Sequence, residues 1–580
     1  MAHSDGVTWQ AHVQVYRRRR GDPLTRPLKV FTRDSTTSRV DGAIATIEIP
    51  WEPLDPGPLG ALFAVDPLDG EDKNGAVDLD DPRVLIRGGL DAAVSDPQFH
   101  QQMVYALCSK LYSQFEQALG RSIAWGFDSS KQNGRLLLRP HAKEIGANAA
   151  YEKDLKRISF GYFAAPEKGA GRNAPNGHVF TCLSHDIISH EFTHALLDGL
   201  RSHFSVPTSN DVLGFHEGFA DLVALFQHFT YRELLEKELR RCDGDLDHSM
   251  ILANLAEEFG RNTQGGPLRC AITTKVVPYS PDMEVHEMGS VLLCAVFEAF
   301  RRVFQRKTEP FLRLAYRPPS GYMVSELAGF LASKASELAS QFLSMCIRAI
   351  DYCPPVDLQM GEFLRALITA DHELVPDDPM GYRDALISAF AERGIYPPGV
   401  GQLCEDSLLW QPPLRAMEPV HALHFAILRF AGDPSLPASE SELVRQAEAL
   451  WDFITRPHVA KEFGLAPAGG DYEPCMVESI RTSRRVGPDG QVLFDLVAEV
   501  TQRRHVVHKE TGVKAKFFGG ATIIVGPDGV IRYVIAKSVQ NEDRLARQLD
   551  YQGRSTAYWS NEGGQYKMRG SSNALAHWRK

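Results

Sequence analysis

The spacing of apolar positions changes character several times along the chain. Residues 1 to about 90 alternate briefly, as in Ala43 to Ile49, between stretches rich in Pro, Gly and Asp, which predicts short strands and loops. From Asp96 to Leu119 the residues Phe99, Met103, Leu107, Leu111 and Phe115 recur at every fourth position, the signature of one face of a long helix. Strand-like pieces return between Arg135 and Phe163, and Gly169 to Gly177 reads as a Gly, Pro and Asn loop. Helical periodicity then dominates from Ile187 to Gly394, with helices expected over Ile187 to Leu200, His216 to Phe229, Tyr231 to Arg241, Val285 to Phe304, Ser325 to Ile350, Met360 to Ala370 and Tyr382 to Arg393. Tyr396-Pro397-Pro398-Gly399 marks a boundary. Beyond it, Gly-Pro-Asp-Gly turns at Gly487 to Gly490 and Gly526 to Gly529 sit between alternating apolar stretches, which is a hairpin signal.

This pattern predicts an α+β chain: a β-rich N-terminal lobe with one long helix over 1–185, a helical lobe over 186–398, a separate α+β module over 399–550 and a tail over 551–580. The tail holds Tyr558, Trp559, Lys567, Arg569 and Trp578, and a flexible terminus is expected there rather than a partner surface. Composition adds exclusions. A net charge of -10 argues against general affinity for nucleic acid or anionic membrane, which depends on accumulated Lys and Arg. The run Arg17 to Arg20, which follows an alternating stretch from Thr8 to Tyr16, reads as a solvated strand end. Residues 1–30 hold no apolar stretch of signal-peptide length, and no run of about 18 apolar residues occurs elsewhere, so a cytoplasmic protein is expected. The nine cysteines are scattered from Cys108 to Cys475 without a Cys-x-x-Cys pair, which suits reduced thiols.

Candidate chemistry concentrates in the helical lobe. His190-Glu191-Phe192-Thr193-His194 is a His-Glu-x-x-His pattern, and Ile188, Phe192, Ala195 and Leu196 supply the apolar stripe of a helix beneath it. Residues four apart stack on one helix face, so both imidazoles point to one place, as a tetrahedral zinc requires, and the Glu191 carboxylate stands beside the remaining coordination position. By chance the pattern arises roughly once in a few dozen chains of this composition, so a third ligand decides its meaning. A second apolar helix carries Glu217 and Asp221 opposite the stripe Phe219, Leu222, Val223 and Phe226. Two acids on so apolar a helix are costly to bury unpaired, which suggests Glu217 as third ligand and Asp221 as the acceptor that orients a ligand histidine. Asp198, four residues past His194, is a further candidate for that orienting role.

With these residues in view, the chain resembles the thermolysin family of gluzincin metallopeptidases over about Asp96 to Gly394. The family's signature is His-Glu-x-x-His, a distal Glu-x-x-x-Asp and a later catalytic His, matched here by His190 to His194, Glu217 to Asp221 and Val285-His286-Glu287-Met288. The resemblance implies a two-lobed fold, one catalytic zinc ion, Glu191 as general base, His286 as donor to the developing oxyanion and Asp282 as its orienting partner. Asn148-Ala149-Ala150-Tyr151 resembles the family's edge strand, implying that Asn148 and Ala149 pair with substrate backbone. Gly266-Pro267-Leu268-Arg269 resembles the stretch whose Arg grips a substrate carbonyl, implying that role for Arg269.

The chain also departs from the family. No Tyr lies between His194 and Glu217, where the family has one that helps stabilise the oxyanion, so His203 or nothing takes that role. His228 stands where the family tends to carry an acidic calcium ligand, which argues against structural calcium even though Asp186 is present. The module after residue 400 lies outside the family's usual pattern, and a gating or partner-selecting role is expected of it. The resemblance thus implies an intracellular zinc endopeptidase acting on peptide or protein substrates. A binding or scaffold protein on an impaired peptidase fold, and a zinc hydrolase of non-peptide amides, are the alternatives.

Overall fold

Asp96 opens the first long helix, α1 (Pro97–Leu119): its carboxylate accepts from the Gln98 amide, Pro97 takes the first turn, and Gly120 ends the helix in the left-handed region at φ 65°. Phe99, Met103, Leu107, Leu111 and Phe115 are all buried, as their spacing predicts. The computed structural model describes residues 15–35, 42–66, 75–127, 134–168, 171–273, 275–314, 323–430, 438–487 and 490–569, apart from the side chains of Met250 and Ile251. The chain is α+β. Thr8 to residue 14, part of the 169–177 loop, residues 488–489 and Trp578 lie outside the described residues.

Before α1 come an antiparallel pair, β1 (Thr25–Phe31) and β2 (Ile44–Pro50), and the short β3 (Phe63–Val65). After α1, β4 (Leu136–Arg139), β5 (Ala149–Glu152) and β6 (Arg157–Phe160) join β3 in a four-stranded sheet of order β3-β4-β6-β5. β5 is an edge, paired antiparallel to β6 alone. Phe63 packs against Phe192 at a ring separation of 5.6 Å, which fixes this sheet against the next helix, α2 (His185–Leu200).

The helical lobe continues with α3 (Asn210–His228), α4 (Arg232–Arg241), α5 (Val285–Leu314), α6 (Ser325–Ala349), α7 (Met360–His372) and α8 (Tyr382–Glu392). Two boundaries differ from the periodicity reading. α3 begins at Asn210 rather than His216, because Asn210, Asp211 and Gly214 conceal its first turns, and Glu217 therefore sits inside the helix. α5 runs on past Phe304 through Pro310 as a more polar extension. α3 and α5 meet through glycines: a Cβ on Gly218 would fall 2.6 Å from the Gly289 carbonyl oxygen, and one on Gly289 would fall 2.8 Å from the Gly218 nitrogen. That close approach sets the start of α5 beside Glu217.

The C-terminal part contains α9 (Glu440–Ile454), the strands β7 (Met476–Val486), β8 (Val492–Val507), β9 (Lys514–Val525) and β10 (Ile531–Lys537), then α10 (Glu542–Arg554) and a last hairpin, β11 (Trp559–Glu562) and β12 (Gln565–Met568). Both expected hairpins form, β7 with β8 and β9 with β10. Leu443, Leu450 and Ile454 of α9 share a core with Val477, Ile480, Val500 and Ile523 of the sheet. Ile524 and Ile535 join the large core shared by the N-terminal strands and the helices instead, so the two faces of this sheet belong to different cores. The tail expected to be flexible from Tyr551 is, as far as Arg569, the end of α10 followed by a hairpin paired to the main sheet. No helix among the described residues is long and apolar enough to cross a membrane.

A candidate metal site between two buried helices

The stripe of Ile188, Phe192, Ala195 and Leu196 is fully buried and holds α2 in one rotational setting, which turns His190 and His194 to a common side. Their Nε2 atoms lie 3.0 Å apart. α3 brings in Glu217, whose Oε2 is 3.4 Å from His190 Nε2 and whose Oε1 is 3.8 Å from His194 Nε2. All three residues offer ligand atoms within 4.8 Å of one another.

The hydrogen-bond partners fix which atoms carry lone pairs. Asp221 accepts from Nδ1 of His190 at 2.9 Å, leaving Nε2 bare in the neutral ring. Nδ1 of His194 meets Nδ1 of His216 at 2.7 Å, an arrangement that likewise frees Nε2 when His194 donates. Two ring lone pairs and a carboxylate thus face one another at spacings close to the roughly 3.3 Å separating neighbouring ligands of a tetrahedral zinc. Such a donor set is repulsive until a cation sits within it, so these residues fit a divalent ion. Burial opposes a charge on His190, yet the hydrogen bonds to Asp221 and Glu217 carry its pKa up to about 10, so that a proton substitutes when no metal is bound.

Glu191 points to the sheet side of the ligands, where its Oε2 accepts from the Tyr151 amide of β5 at 3.0 Å. The edge strand and the candidate base are therefore physically joined; Ala149 opens that strand, and Asn148 stands just before it, its Oδ1 accepting from the Ala149 amide. Arg269 lines the same cavity as His190, Glu191 and Glu217, with its Nε 3.6 Å from Asp221 Oδ2. His286, in the first turn of α5, places Nε2 3.8 Å from Glu217 Oε2. Burial lowers the His286 pKa, but its hydrogen bond to Glu284 and the charge of Glu217 outweigh that and raise it.

Three expectations need correction. Asp198 does not orient a histidine: it accepts from Tyr151 Oη at 2.9 Å and Lys153 Nζ at 2.6 Å, because it lies a further helical turn from the ligands and reaches β5 instead. Asp282 is not the partner of His286; Glu284 is, with Oε1 2.7 Å from Nδ1 and Oε2 capping the amides of His286 and Glu287. Asp282 instead lies 3.8 Å from Arg554. His203 does not face the metal site, since it meets Glu478 at 3.4 Å and stacks near Phe518. His216 was the residue sequence reasoning missed, although a second His directly before the ligand Glu217 was a readable signal.

No family model matches this chain, and no curated protein gives a significant match. The geometry of the site alone bears on its chemistry.

The position compared with a calcium ligand holds a different arrangement. His228 Nε2 lies 2.6 Å from Asp186 Oδ1 and its Nδ1 3.2 Å from the Leu252 carbonyl. A carboxylate and a carbonyl thus face the two ring nitrogens, and His228 and Asp186 form a buried pair. Asp186 also accepts from the Ala256 amide; burial pushes its pKa up, and His228 overrides this to hold it at about 2. Removing one partner of such a pair costs about 3–5 kcal/mol, so His228→Leu is expected to lower the unfolding free energy obtained from a urea titration by that amount. The Asp186 contribution is present above its unfolded pKa of about 4 and is lost as pH falls through the depressed folded value. The difference between the two proteins should therefore narrow below about pH 4.

A second group, buried His100 and Cys182 with half-buried His141, also has ligand atoms within 4.8 Å. His100 donates from Nε2 to the Val94 carbonyl, so its Nδ1 bears a lone pair, and His141 Nε2 lies 2.7 Å away. That is hydrogen-bond length and short of the roughly 3.3 Å spacing of tetrahedral ligands. Burial holds His100 down at about 4, which fits a neutral acceptor ring.

Proposed function

We propose that the chain is a zinc-dependent endopeptidase with a thermolysin-like arrangement of two lobes. The observation that carries this reading is the convergence of His190, His194 and Glu217, from two different helices, beside a Glu191 that is tied to an edge strand. Among divalent ions, two imidazoles and one carboxylate suit zinc in a site with an open position. The ion would supply Lewis-acid polarisation of a carbonyl and a lowered pKa for attacking water.

The protein's own groups divide the remaining work. The open side of β5 would align an extended peptide backbone, which suits cleavage within a chain. Glu191 would take the proton of the attacking water and return it to the leaving nitrogen. His286, steadied by Glu284, and Arg269 would stabilise the charge developing on the carbonyl oxygen. Asp221 and His216 hold the two ligand imidazoles in their metal-binding tautomers. A gating or partner-selecting role for the C-terminal part belongs to the same reading.

Incubating the purified protein with a peptide library should yield new N-termini, a chelator should abolish them, and added zinc should restore them. Cleavage that survives complete metal removal would refute the proposal. The second reading, a peptidase-like binding protein without turnover, draws on one observation, the absence of a tyrosine between His194 and Glu217.

A further inference from the structure

A polar cleft of about 610 Å³ opens where the C-terminal sheet meets the helices, and it shares no lining residue with the cavity of the metal site. The last turns of α1 form one wall, α6 another, and the end of β7 closes the third side. Gly120 fixes the meeting of α1 with β7, because a Cβ there would fall 2.1 Å from the Arg484 carbonyl oxygen. The volume is that of a small-molecule site.

One face of α6 supplies most of the donors. Ser336, Ser340, Ser344 and Arg348 recur at every fourth position and all line the cleft. None of the three hydroxyls, and no part of the Arg348 guanidinium, makes a hydrogen bond or ion pair among the described residues. Yet Nε of Arg348 is shut off from solvent, where a donor ordinarily has a partner. The acids nearby are committed elsewhere. Asp351 holds Arg121, and Asp495 with the Tyr352 hydroxyl holds Arg485. Asp371, whose charge acts on Arg348, accepts from Arg383 at 2.8 Å. Glu116, the one carboxylate in the lining, accepts from the Ser122 hydroxyl at 2.7 Å. Arg484, exposed at the rim, also has no acidic partner among the described residues. Two guanidinium groups and three hydroxyls are thus uncommitted around one space. Burial lowers the Arg348 pKa, and Arg485 lowers it further against the pull of Asp371, a cost that a bound anion would offset.

We infer that this cleft binds a phosphoryl dianion, free or carried on a small molecule, gripped by Arg348 and Arg484 while the α6 hydroxyls donate to its remaining oxygens. A guanidinium fork matches a pair of phosphate oxygens, and a phosphomonoester presents three strong acceptors to a donor set too large for the two oxygens of a carboxylate. Such a ligand would touch α1, α6 and β7 together and brace the C-terminal sheet against the helices. The inference requires neither the metal nor hydrolysis.

The test is calorimetric titration of the full-length protein with inorganic phosphate, β-glycerol phosphate and glycerol, at an ionic strength held constant with sodium chloride. Saturable binding of the two phosphates and none of glycerol is expected. Tighter binding of the ester assigns the cleft to a phosphorylated small molecule, and equal or weaker binding assigns it to free phosphate. Arg348→Gln should weaken binding at least tenfold, while the ligand-free urea midpoint stays at the parent value because no protein partner is lost. Ser340→Asp, at an exposed position on the lip, sets a like charge against the ligand and should abolish binding without touching the core, which keeps the test open if Arg348→Gln folds poorly. Phosphate should also raise the urea midpoint of the parent but not of either variant. Absence of saturable binding by the parent, or affinity unchanged in either folded variant, overturns the inference.

Discussion

Glu191→Gln is expected to keep its full complement of zinc and to hydrolyse peptides about 10²- to 10⁴-fold more slowly than the parent protein. The separation of these two outcomes follows from position. In the proposed function metal binding would rest on His190, His194 and Glu217, while Glu191 stands beside them and makes its hydrogen bond to the Tyr151 amide. Glutamine is isosteric and still offers an amide oxygen to that N–H, so the edge strand keeps its attachment. What is lost is a carboxylate able to accept the proton of the attacking water. Zinc analysis and kcat/KM on the same preparation check the prediction, and loss of metal together with activity would instead make Glu191 part of the ligand set.

Asp351→Ala is expected to destabilise the whole chain by about 3–5 kcal/mol, read as a shift of the cooperative urea transition. Asp351 receives a two-pronged ion pair from Arg121, both contacts at 2.7 Å, with exposures of only 7% and 4%. Arg201 and Arg481 also act on it. Arg201 comes from the end of α2 and binds the Ile350 carbonyl, Thr522 and Glu499; Arg481 comes from β7 and binds the Gly199 and Leu200 carbonyls. Burial and the repulsion of Arg121 already lower the Arg481 pKa to about 10, so deleting Asp351 strips Arg121 of its buried partner and leaves Glu499 as the remaining carboxylate beside Arg201 and Arg481. The sign with pH is definite. Burial pushes the Asp351 pKa up, but the arginines prevail and hold it below its ordinary value. Its stabilisation is therefore present above about pH 4 and disappears as pH falls through the depressed folded value, so parent and variant should converge in acid.

That network explains why the C-terminal part looked independent in the sequence. Arg121, Arg201, Arg481 and Arg485 belong to no motif in the linear pattern, yet all four are buried or nearly so where the sheet meets the helices. The Gly-Pro-Asp-Gly turns were legible because hairpin chemistry is local; the docking was not, because it is made of polar groups paired across hundreds of residues. The same contrast holds at the site. His190, Glu191, His194, Glu217 and Asp221 were readable since their relations are set by helical spacing on two apolar helices. Asp198 and Asp282 were misplaced because nearness in sequence to a ligand or to His286 says nothing about which neighbouring element a side chain meets. Glu284, which opens α5 and caps it, and His216, which braces His194, were the true partners. The docking of Trp559 on the loop after α2 left no local trace in the sequence, because only the folded arrangement of α10 and its hairpin brings the indole to the Pro207 carbonyl.

The decisive measurement is anomalous diffraction at the zinc edge from crystals of the zinc-loaded protein. One strong peak is predicted, about 2.0–2.2 Å from Nε2 of His190, Nε2 of His194 and an oxygen of Glu217. A peak confined to His100, His141 and Cys182, or no peak between α2 and α3, would contradict the account.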